Sequence, residues 1–435
     1  MNGINFNCNS VFQNDFINVL DFGMNENTPD CSKIFLEILD VAVRCKKTVY
    51  LPSGSYYFAN PVQMFRSNLH IVGENKNNTF LIYSGPEIPD APSGTNAAPV
   101  SPFFINGYLQ ESSGHGFHIS NITFISENKV PSTLVIQGTV WSTYRNIGIY
   151  PKSANKYACW MGSCEQDIFE EFGITMNLMP DLNKDIEYGI YITTGWRASG
   201  VGAPKPTFNT YNLLRTEGVQ DGLIVRYSDG CTFNHIAAEY NYNRNIVVTS
   251  DVRWCVFNNL DSESIGDTIE QYGANLGGVS NTYNCCSVTD GAIVGGNLCS
   301  YSNSMFNSIT IDGGNNVFKN CIFRYRHGTI NYSIRNHPEV IFENVYDNTD
   351  NKLYTPYDRR PLVWSDDLFT NTLCTPIVVY GGSDFSTDGK YVYISSDGHT
   401  SQIQIFSSPF VMPSGSVLKT TDSSKVLSWS PLNFL

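Results

Sequence analysis

The chain has 435 residues, of which 13% are aromatic and only 15% are charged. This composition excludes a disordered chain and a highly charged helical protein, and the length allows one large core with a smaller appendage. The formal net charge of −13 argues against nucleic acid and anionic membrane surfaces as partners, because no basic field would hold them.

The N-terminal residues show no export or membrane-spanning signal. Residues 1–18 lack a basic start followed by an apolar run, and no stretch has the apolar length of a transmembrane helix. We therefore expect no membrane insertion, and we read the twelve cysteines as mostly free thiols of a cytosolically made protein. Neither paired CxxC motifs nor metal-ligand spacing of histidines occurs, so we predict no metal and no cofactor.

A helix and a strand-turn-strand unit come next. Residues 29–45 carry apolar side chains at helical spacing after Pro29-Asp30, which predicts an amphipathic helix. Residues 48–58 contain two short strand patterns separated by a Pro-Ser-Gly turn. The ends of a stacked β fold expose unpaired ladder edges. The helix is therefore interpreted as a cap.

The most informative feature is a repeat of about 24 residues. Five segments begin with an aromatic residue followed by Asn, and an apolar residue stands two positions after each Asn. These five segments begin at Tyr211, Phe233, Phe257, Tyr283 and Phe306. Three earlier segments keep the same frame without the strict Asn, and they begin at Ile119, Tyr144 and Phe169. Within each segment apolar and polar residues alternate, and a second apolar strand pattern follows.

This repeat predicts an all-β protein, a single-stranded right-handed parallel β-helix. One coil cannot bury its own inner face, so it stacks on the next coil about 4.8 Å away. Asn at a fixed turn position tolerates left-handed backbone and can bond to its copy one coil up. We assign residues 18–75 to the capping helix and first coils, and residues 76–346 to the β-helix.

After residue 346 the period stops. Residues 347–361 are polar and end in Asp358–Pro361, which indicates a linker. Residues 362–435 contain strand patterns, such as Ile377–Tyr380 and Tyr391–Ile394, between Gly-, Ser- and Asp-rich turns. This pattern predicts a small C-terminal β-sandwich or a trimerisation domain.

The opening of the chain resembles a known family. The run N-V-L-D-F-G at Asn18–Gly23, the helix, and V-Y-L-P-S-G-S-Y at Val49–Tyr56 are similar to the opening of the pectate-lyase-like superfamily, in the form common among phage tailspike depolymerases. The usual acidic, Gly-rich run is replaced by Met24–Asp30, which marks a distant member. The resemblance implies a virion spike made in the host cytoplasm. It also implies a homotrimer, with residues 1–17 as an arm that binds other virion proteins.

The repeat places carboxylates in one row on the outer face. Glu217, Glu239 and Glu263 occupy the same outward position in three consecutive coils, and Asp261 lies on the same face. Neighbouring carboxylates about 4.8 Å apart repel by roughly 3.5 kcal/mol at an effective dielectric near 20, before solvent weakens the effect. One of them should be pushed towards neutrality, as glycoside hydrolysis requires. Adjacent coils suit retention and alternate coils inversion, so both outcomes stay open.

Other residues are candidates for contacts with a sugar. Arg215 shares the outward face with the glutamates, and Tyr150 offers a ring for stacking on a pyranose. Trp196 and Arg197 lie in an insertion within one coil, where long loops commonly build sites. The alternative is a loop that is anchored by its own Trp.

We interpret the chain as a tailspike or receptor-binding protein of a virion that binds and cleaves a host surface polysaccharide by glycoside hydrolysis. Three alternatives remain. The first is a non-catalytic viral fibre that only binds glycan. The second is a polysaccharide lyase in which Arg215 abstracts a proton and a carboxylate-held cation neutralises a uronate. In the third, the glutamates are a solvated surface row, neutralised by Arg215, Arg226, Arg244 or a cation.

Overall fold

The computed structural model supports two compact units. The strands up to Tyr354 belong to the first unit, and those after residue 390 belong to the second. The structure describes residues 15–65, 67–90, 98–107, 114–153, 155–174, 185–195, 204–263, 273–289, 291–325, 340–348, 351–354, 391–396, 399–404, 416–420 and 427–431.

The predicted capping helix is present. A 3-10 turn at Val19–Phe22 precedes it, and helix α1 spans Ser32–Cys45. The buried face of α1, which includes Phe35 and Ile38, joins the main core. Lys46 caps the C-terminal end of the helix, because its left-handed backbone lets its N–H bond to carbonyls of the last turn. No described helix is long and apolar enough to cross a membrane.

Each coil contributes strands to two large sheets. The first sheet has 20 strands and the second has 10. The strands of the first sheet are β1 (Phe16–Asn18), β2 (Thr48–Leu51), β3 (Gly54–Phe58), β5 (His70–Gly73), β6 (Thr79–Tyr83), β9 (His118–Ser126), β12 (Thr143–Pro151), β14 (Ile168–Ile174), β16 (Thr210–Glu217), β18 (Thr232–Glu239), β20 (Val256–Glu263), β22 (Thr282–Asn284), β23 (Ser287–Val288), β25 (Ser300–Ser302), β26 (Met305–Phe306), β28 (Val317–Lys319), β29 (Ile322–Phe323), β30 (Ile341–Glu343), β31 (Val345–Asp347) and β32 (Lys352–Tyr354).

The second sheet and the smaller pairs complete the described strands. The second sheet contains β4 (Val62–Met64), β7 (Phe103–Asn106), β10 (Ser132–Gln137), β13 (Tyr157–Gly162), β15 (Tyr188–Thr193), β17 (Asp221–Val225), β19 (Arg244–Val248), β21 (Ala274–Leu276), β24 (Ala292–Val294) and β27 (Ile309–Ile311). The two-stranded pairs are β8 (Gly114–His115) with β11 (Thr139–Val140), β33 (Tyr391–Ser396) with β34 (His399–Gln404), and β35 (Ser416–Thr420) with β36 (Leu427–Pro431).

The strand pairings confirm the parallel β-helix. Tyr211 pairs with Phe233, and Phe233 with Phe257, so equivalent residues of successive coils stand side by side in parallel strands. The fold is the predicted right-handed parallel β-helix, with one capping helix among the described elements. The first sheet extends into the predicted linker, because β32 pairs antiparallel with β31.

Buried aromatic rings form a continuous stack in the core. Successive ring centroids are 4.6 to 5.0 Å apart, and the ring planes are within 15° of parallel. The stacked residues are Tyr144, Phe169, Tyr211, Phe233, Phe257, Tyr283, Tyr301 and Phe318. The repeated aromatic position is therefore an inward one, and it fixes the vertical alignment of the coils.

The predicted fifth repeat at Phe306 is wrong. The stack continues from Tyr283 to Tyr301, whereas Phe306 pairs with Val288. Strand β27 belongs to the second sheet, so the segment that begins at Phe306 does not extend the row of glutamates. The physical reason is a change in coil length: the step from Asn258 to Asn284 takes 26 residues, but the next step takes only 18.

The predicted asparagine ladder is present, with one difference. Nδ2 of Asn234, Asn258 and Asn284 each donates to Oδ1 of the Asn one coil earlier, at 2.9 Å. The left-handed residue, however, is the one after the Asn. The residues in that conformation, with φ between 53° and 58°, are Leu213, His235, Asn259 and Cys285. The Asn side chains therefore stabilise the strand just before the bend.

Most of the described cysteines are free, as predicted. Nine are free thiols, eight of them are buried, and Cys285 is exposed. Cys45, at the end of α1, is disulfide-bonded.

Candidate functional site

The C-terminal ends of β16, β18 and β20 bring the predicted carboxylates together. Glu217 pairs in register with Glu239, and Glu239 pairs with Glu263. In the row two residues earlier, Arg215 pairs with Ala237, and Ala237 pairs with Asp261. The acidic cluster, defined here as these three glutamates with Asp261, therefore spans three adjacent strands.

The three glutamates are not equally exposed. Glu263 is exposed and Asp261 is half-buried, but Glu217 is only 2% exposed. The expectation that all three face solvent is therefore wrong for Glu217. This carboxylate lies against the guanidinium of Arg215, whose Nε donates to Glu217 Oε1 at 2.6 Å and whose Nη2 contacts the same oxygen.

Arg215 joins two of the carboxylates. Its Nη2 lies 3.9 Å from Oε2 of Glu239, and its own side chain remains 54% exposed. Arg215 thus neutralises the buried Glu217 and still presents part of its guanidinium to solvent. The other two candidate counter-ions are engaged elsewhere: Arg244 pairs with Asp221, and Arg226 donates to the Tyr191 hydroxyl.

Several neighbouring groups shift the pKa of Glu239, most of them upwards. Burial raises the pKa of Glu239, and the negative charge of Glu217 raises it further. The positive charge of Arg215 opposes this shift, whereas Asp261 and a hydrogen bond with Glu217 add to it. The Glu239 side chain is 21% exposed, so a ligand can reach it. A partly accessible carboxyl group that is held towards its neutral form can donate a proton.

One charged residue near the cluster, Lys76, was not predicted from the sequence. Lys76 lies between β5 and β6, where its carbonyl accepts a hydrogen bond from Thr123 Oγ1 at 2.8 Å. Burial lowers the pKa of Lys76, the carboxylate of Glu171 opposes the shift, and Arg215 adds to it. No repeat connects Lys76 with Arg215, because the two belong to distant coils. Only the folded chain brings their charges within range.

An exposed aromatic ring lies beside the cluster. Tyr240 follows Glu239 directly, and its backbone N–H donates to the carbonyl of Glu263 at 2.7 Å. Its φ of 54° is in the left-handed region, which projects the ring outward from the end of the strand. The sequence feature that identifies this ring is a Tyr directly after Glu239.

The predicted sugar-contacting residues have different outcomes. Tyr150 is half-buried and packs against the core, so the expectation of an exposed ring is wrong. Tyr150 keeps the outward position between the buried Ile149 and Pro151, but its side chain is partly covered. Trp196 and Arg197 lie outside the described residues. Within the described ranges, no group of three or more His, Cys, Asp or Glu side chains is arranged to hold a metal ion.

Several solved structures are similar to this chain, all at low sequence identity. No protein-family model matches the chain, and no curated protein matches it. Among solved structures, the surface adhesin PfbA of Streptococcus pneumoniae is 10% identical, with a TM-score of 0.47 over 76% of this chain and 88% of that one. The A-module of mannuronan C-5 epimerase AlgE6 from Azotobacter vinelandii is 13% identical, with a TM-score of 0.43 over 76% and 98%.

A tailspike protein is also among the similar structures. The Dettilon tailspike protein (gp208) is 8% identical, with a TM-score of 0.42 over 79% of this chain and 72% of that one. Likenesses of this degree concern the fold alone. The chain is a right-handed parallel β-helix protein, the fold class that its pectate-lyase-like opening implies.

Proposed function

We propose that this chain binds and cleaves a polysaccharide at the acidic cluster, by hydrolysis of a glycosidic bond. The observation that carries the proposal is the environment of Glu239, a partly exposed carboxyl group whose pKa is raised by burial and by Glu217. Hydrolysis needs an acid that stays protonated beside a second carboxylate that stays ionised.

The cluster suggests a role for each member. Glu239 protonates the leaving oxygen. Glu217, fixed by Arg215, supplies a negative charge that raises the pKa of Glu239 and does not contact the sugar. Asp261 and Glu263 are the candidates for nucleophile or base, because they are on the next strand and accessible. Adjacent strands are about 4.8 Å apart, which is close to the separation in retaining enzymes.

We further propose that the protein is a virion tailspike that attaches to a host surface polysaccharide as a homotrimer. Support comes from the pectate-lyase-like opening at Asn18–Gly23 and Val49–Tyr56. In this proposal residues 1–17 bind other virion proteins, residues 347–361 form a linker, and residues 362–435 form the C-terminal β-rich domain.

Replacement of the proposed acid provides the test. We expect Glu239→Gln to lower the rate of reducing-end release at least about 100-fold, because general acid catalysis contributes a factor of this size or more. The substrates are a panel of purified bacterial capsular polysaccharides, both neutral and uronate-containing. Glu170→Gln is the matched control, since Glu170 is on the outer face of the same sheet and pairs with Arg145. A Glu239→Gln protein with the wild-type rate would refute the assignment.

The second candidate reaction is β-elimination on a uronate. The observation that favours it is Lys76, because burial and Arg215 lower its pKa and so increase the fraction of neutral amine that can accept a proton. Arg215 would then neutralise the uronate carboxylate. Ultraviolet absorbance of an unsaturated uronate among the products identifies a lyase, and reducing ends without that absorbance identify a hydrolase. Glycan binding without any product identifies the non-catalytic fibre.

A further inference from the structure

A second surface, distant from the acidic cluster, carries a regular row of exposed apolar side chains. One residue of each coil, in the turn just before the first-sheet strand, has a left-handed backbone with a positive φ. We call this row the turn stripe. In order of coils its residues are Trp141, Gln166, Phe208, Gly230, Trp254, Ser280 and Leu298. Phe208 precedes β16, whereas Glu217 ends it, so stripe and cluster lie at opposite ends of the long strands.

Large apolar residues alternate with small or polar ones along the turn stripe. The large ones are between 56% and 65% exposed, and they are Trp141, Phe208, Trp254 and Leu298. Every second coil has Gln, Gly or Ser instead. The large side chains therefore recur every two coils, at a spacing of about 9.6 Å.

The alternation has a local steric cause. A Cβ on Gly230 would come within 2.9 Å of the Phe208 ring, so the ring leans over the next coil and requires a residue without a side chain there. Trp141 similarly contacts the next coil, where its Nε1 donates to Oε1 of Gln166. The rings thus lie along the stripe with much of their surface open to solvent.

The backbone makes these large residues unfavourable. Trp141, Phe208 and Trp254 have φ values of 53° to 54°, a region that suits Gly and Asn but crowds the Cβ of other residues. In the coil after Leu298 the equivalent residue is Asn315, a residue type that commonly adopts this backbone, and its Nδ2 donates to Oδ1 of Asn297 at 3.3 Å. Trp141 also stacks on His115, with ring centroids 5.1 Å apart. The exposed faces of the large side chains add nothing to the core and are open to a ligand.

The geometry fits an extended sugar chain better than another subunit. We propose that the turn stripe binds an extended, equatorially linked polysaccharide, with one disaccharide for every two coils. Aromatic faces stack on sugar rings, and a disaccharide of such a chain spans about two strand spacings. A stable subunit interface needs a broad, continuous apolar core. The turn stripe is one residue wide, is interrupted by polar residues, and is flanked by the exposed Glu165 and Arg253.

This inference rests on the proposed function only for the class of ligand. A polysaccharide held on the stripe would not contact the acidic cluster, so the stripe would anchor the polymer while another segment is cleaved. Binding to the stripe and cleavage at Glu239 can therefore be lost independently.

Asparagine replacements test the inference without adding strain. Phe208→Asn and Trp254→Asn remove a ring and introduce a residue that suits the left-handed backbone. The control is Leu213→Asn, which makes the same kind of change at an exposed left-handed position outside the stripe. The probes are cellohexaose and chitohexaose, which are extended, and maltohexaose, whose axial linkages coil the chain. Binding is measured by isothermal titration calorimetry, and oligomeric state by sedimentation.

We expect the wild type and Leu213→Asn to bind at least one extended probe and to bind maltohexaose more weakly. Each stripe replacement should weaken that binding about threefold to tenfold, and the double replacement should weaken it more than either. The melting temperature should stay unchanged or rise. Glu239→Gln should keep full binding, which separates this result from a failure of the catalytic proposal. The inference is overturned if no extended probe binds, if the stripe variants bind as the control does, or if they change the oligomeric state.

Discussion

At the residue scale, the central feature is a buried carboxylate that depends on one arginine. Glu217 is fully buried, and the described polar contacts of its side chain include a guanidinium bond of 2.6 Å from Arg215. A charge that loses its partner in such a place is costly, because neither water nor another cation replaces it. The same pair places the negative charge of Glu217 beside Glu239. Arg215 and Glu217 therefore contribute both to the stability of the fold and to the proposed catalysis.

Removal of the arginine should therefore destabilise the fold. We expect Arg215→Met to lower the free energy of unfolding by about 3 kcal/mol, because Glu217 would remain buried and unpaired. Glu217→Gln in the same chain should restore most of the loss, since it removes the unpaired charge. Urea denaturation at neutral pH measures both effects. Equal stability of Arg215→Met and wild type would show that Glu217 does not need its partner.

A second buried carboxyl group predicts a pH effect. Burial raises the pKa of Asp167 to about 7, while hydrogen bonds from Thr139 and Ser142 act in the opposite direction. In the unfolded chain this group returns to its ordinary value of 3.8. The folded state thus binds the proton more tightly, and the stability that this proton confers is lost as the pH rises from 3.8 to about 7.

Asparagine at position 167 should remove this dependence. At the equivalent turns, Oδ1 of Asn281 and of Asn316 accepts a hydrogen bond from a backbone N–H one coil earlier, as Asp167 does from Ser142. An amide side chain can therefore replace the carboxyl group at position 167. We expect Asp167→Asn to raise the free energy of unfolding at pH 8 by about 1–3 kcal/mol and to have little effect at pH 4. Urea denaturation across this range provides the measurement. A gain of equal size at both pH values would contradict the titration of Asp167.

At the element scale, the strands of the first sheet are aligned by two parallel rows of side chains. The aromatic stack lies inside, and the ladder from Asn212 to Asn284 lies on the outer side of the same strands. Amide side chains that bond in series polarise one another. The residue after each Asn can then adopt a left-handed backbone without loss of register.

The number of ladder bonds should determine the cost of removing an Asn. Asn234 donates to Asn212 and accepts from Asn258, whereas Asn212 ends the ladder because Glu170 occupies the paired position below it. We expect Asn234→Ala to lower the free energy of unfolding by about 2 kcal/mol and Asn212→Ala by about half as much. Thermal and urea unfolding test the order. Equal losses at the two positions would show that the ladder bonds are not the cause.

At the scale of the whole molecule, the β-helix separates two surfaces. In one coil, a residue of the turn stripe precedes a long strand, and a residue of the acidic cluster ends that strand. Phe208 and Glu217 have these positions at the two ends of β16. The coil repeat therefore builds both surfaces at once, with the same vertical spacing. A polymer with a regular repeat is the kind of ligand that matches such a scaffold.

The sequence alone determined the coil period and the alignment of Glu217, Glu239 and Glu263. These features follow from alternation along a strand and from nearly equal coil lengths, which are local properties of the chain. The same reasoning failed at Phe306, because the coils shorten after Tyr283 and the period carries no information about that change.

Only the tertiary structure decided how the site is built. The burial of Glu217 under Arg215, the approach of Lys76 and the exposure of Tyr240 depend on contacts between residues that no repeat relates. Periodicity specifies which face a side chain is on. It does not specify what covers that face, because burial and pKa depend on every neighbouring coil and turn together.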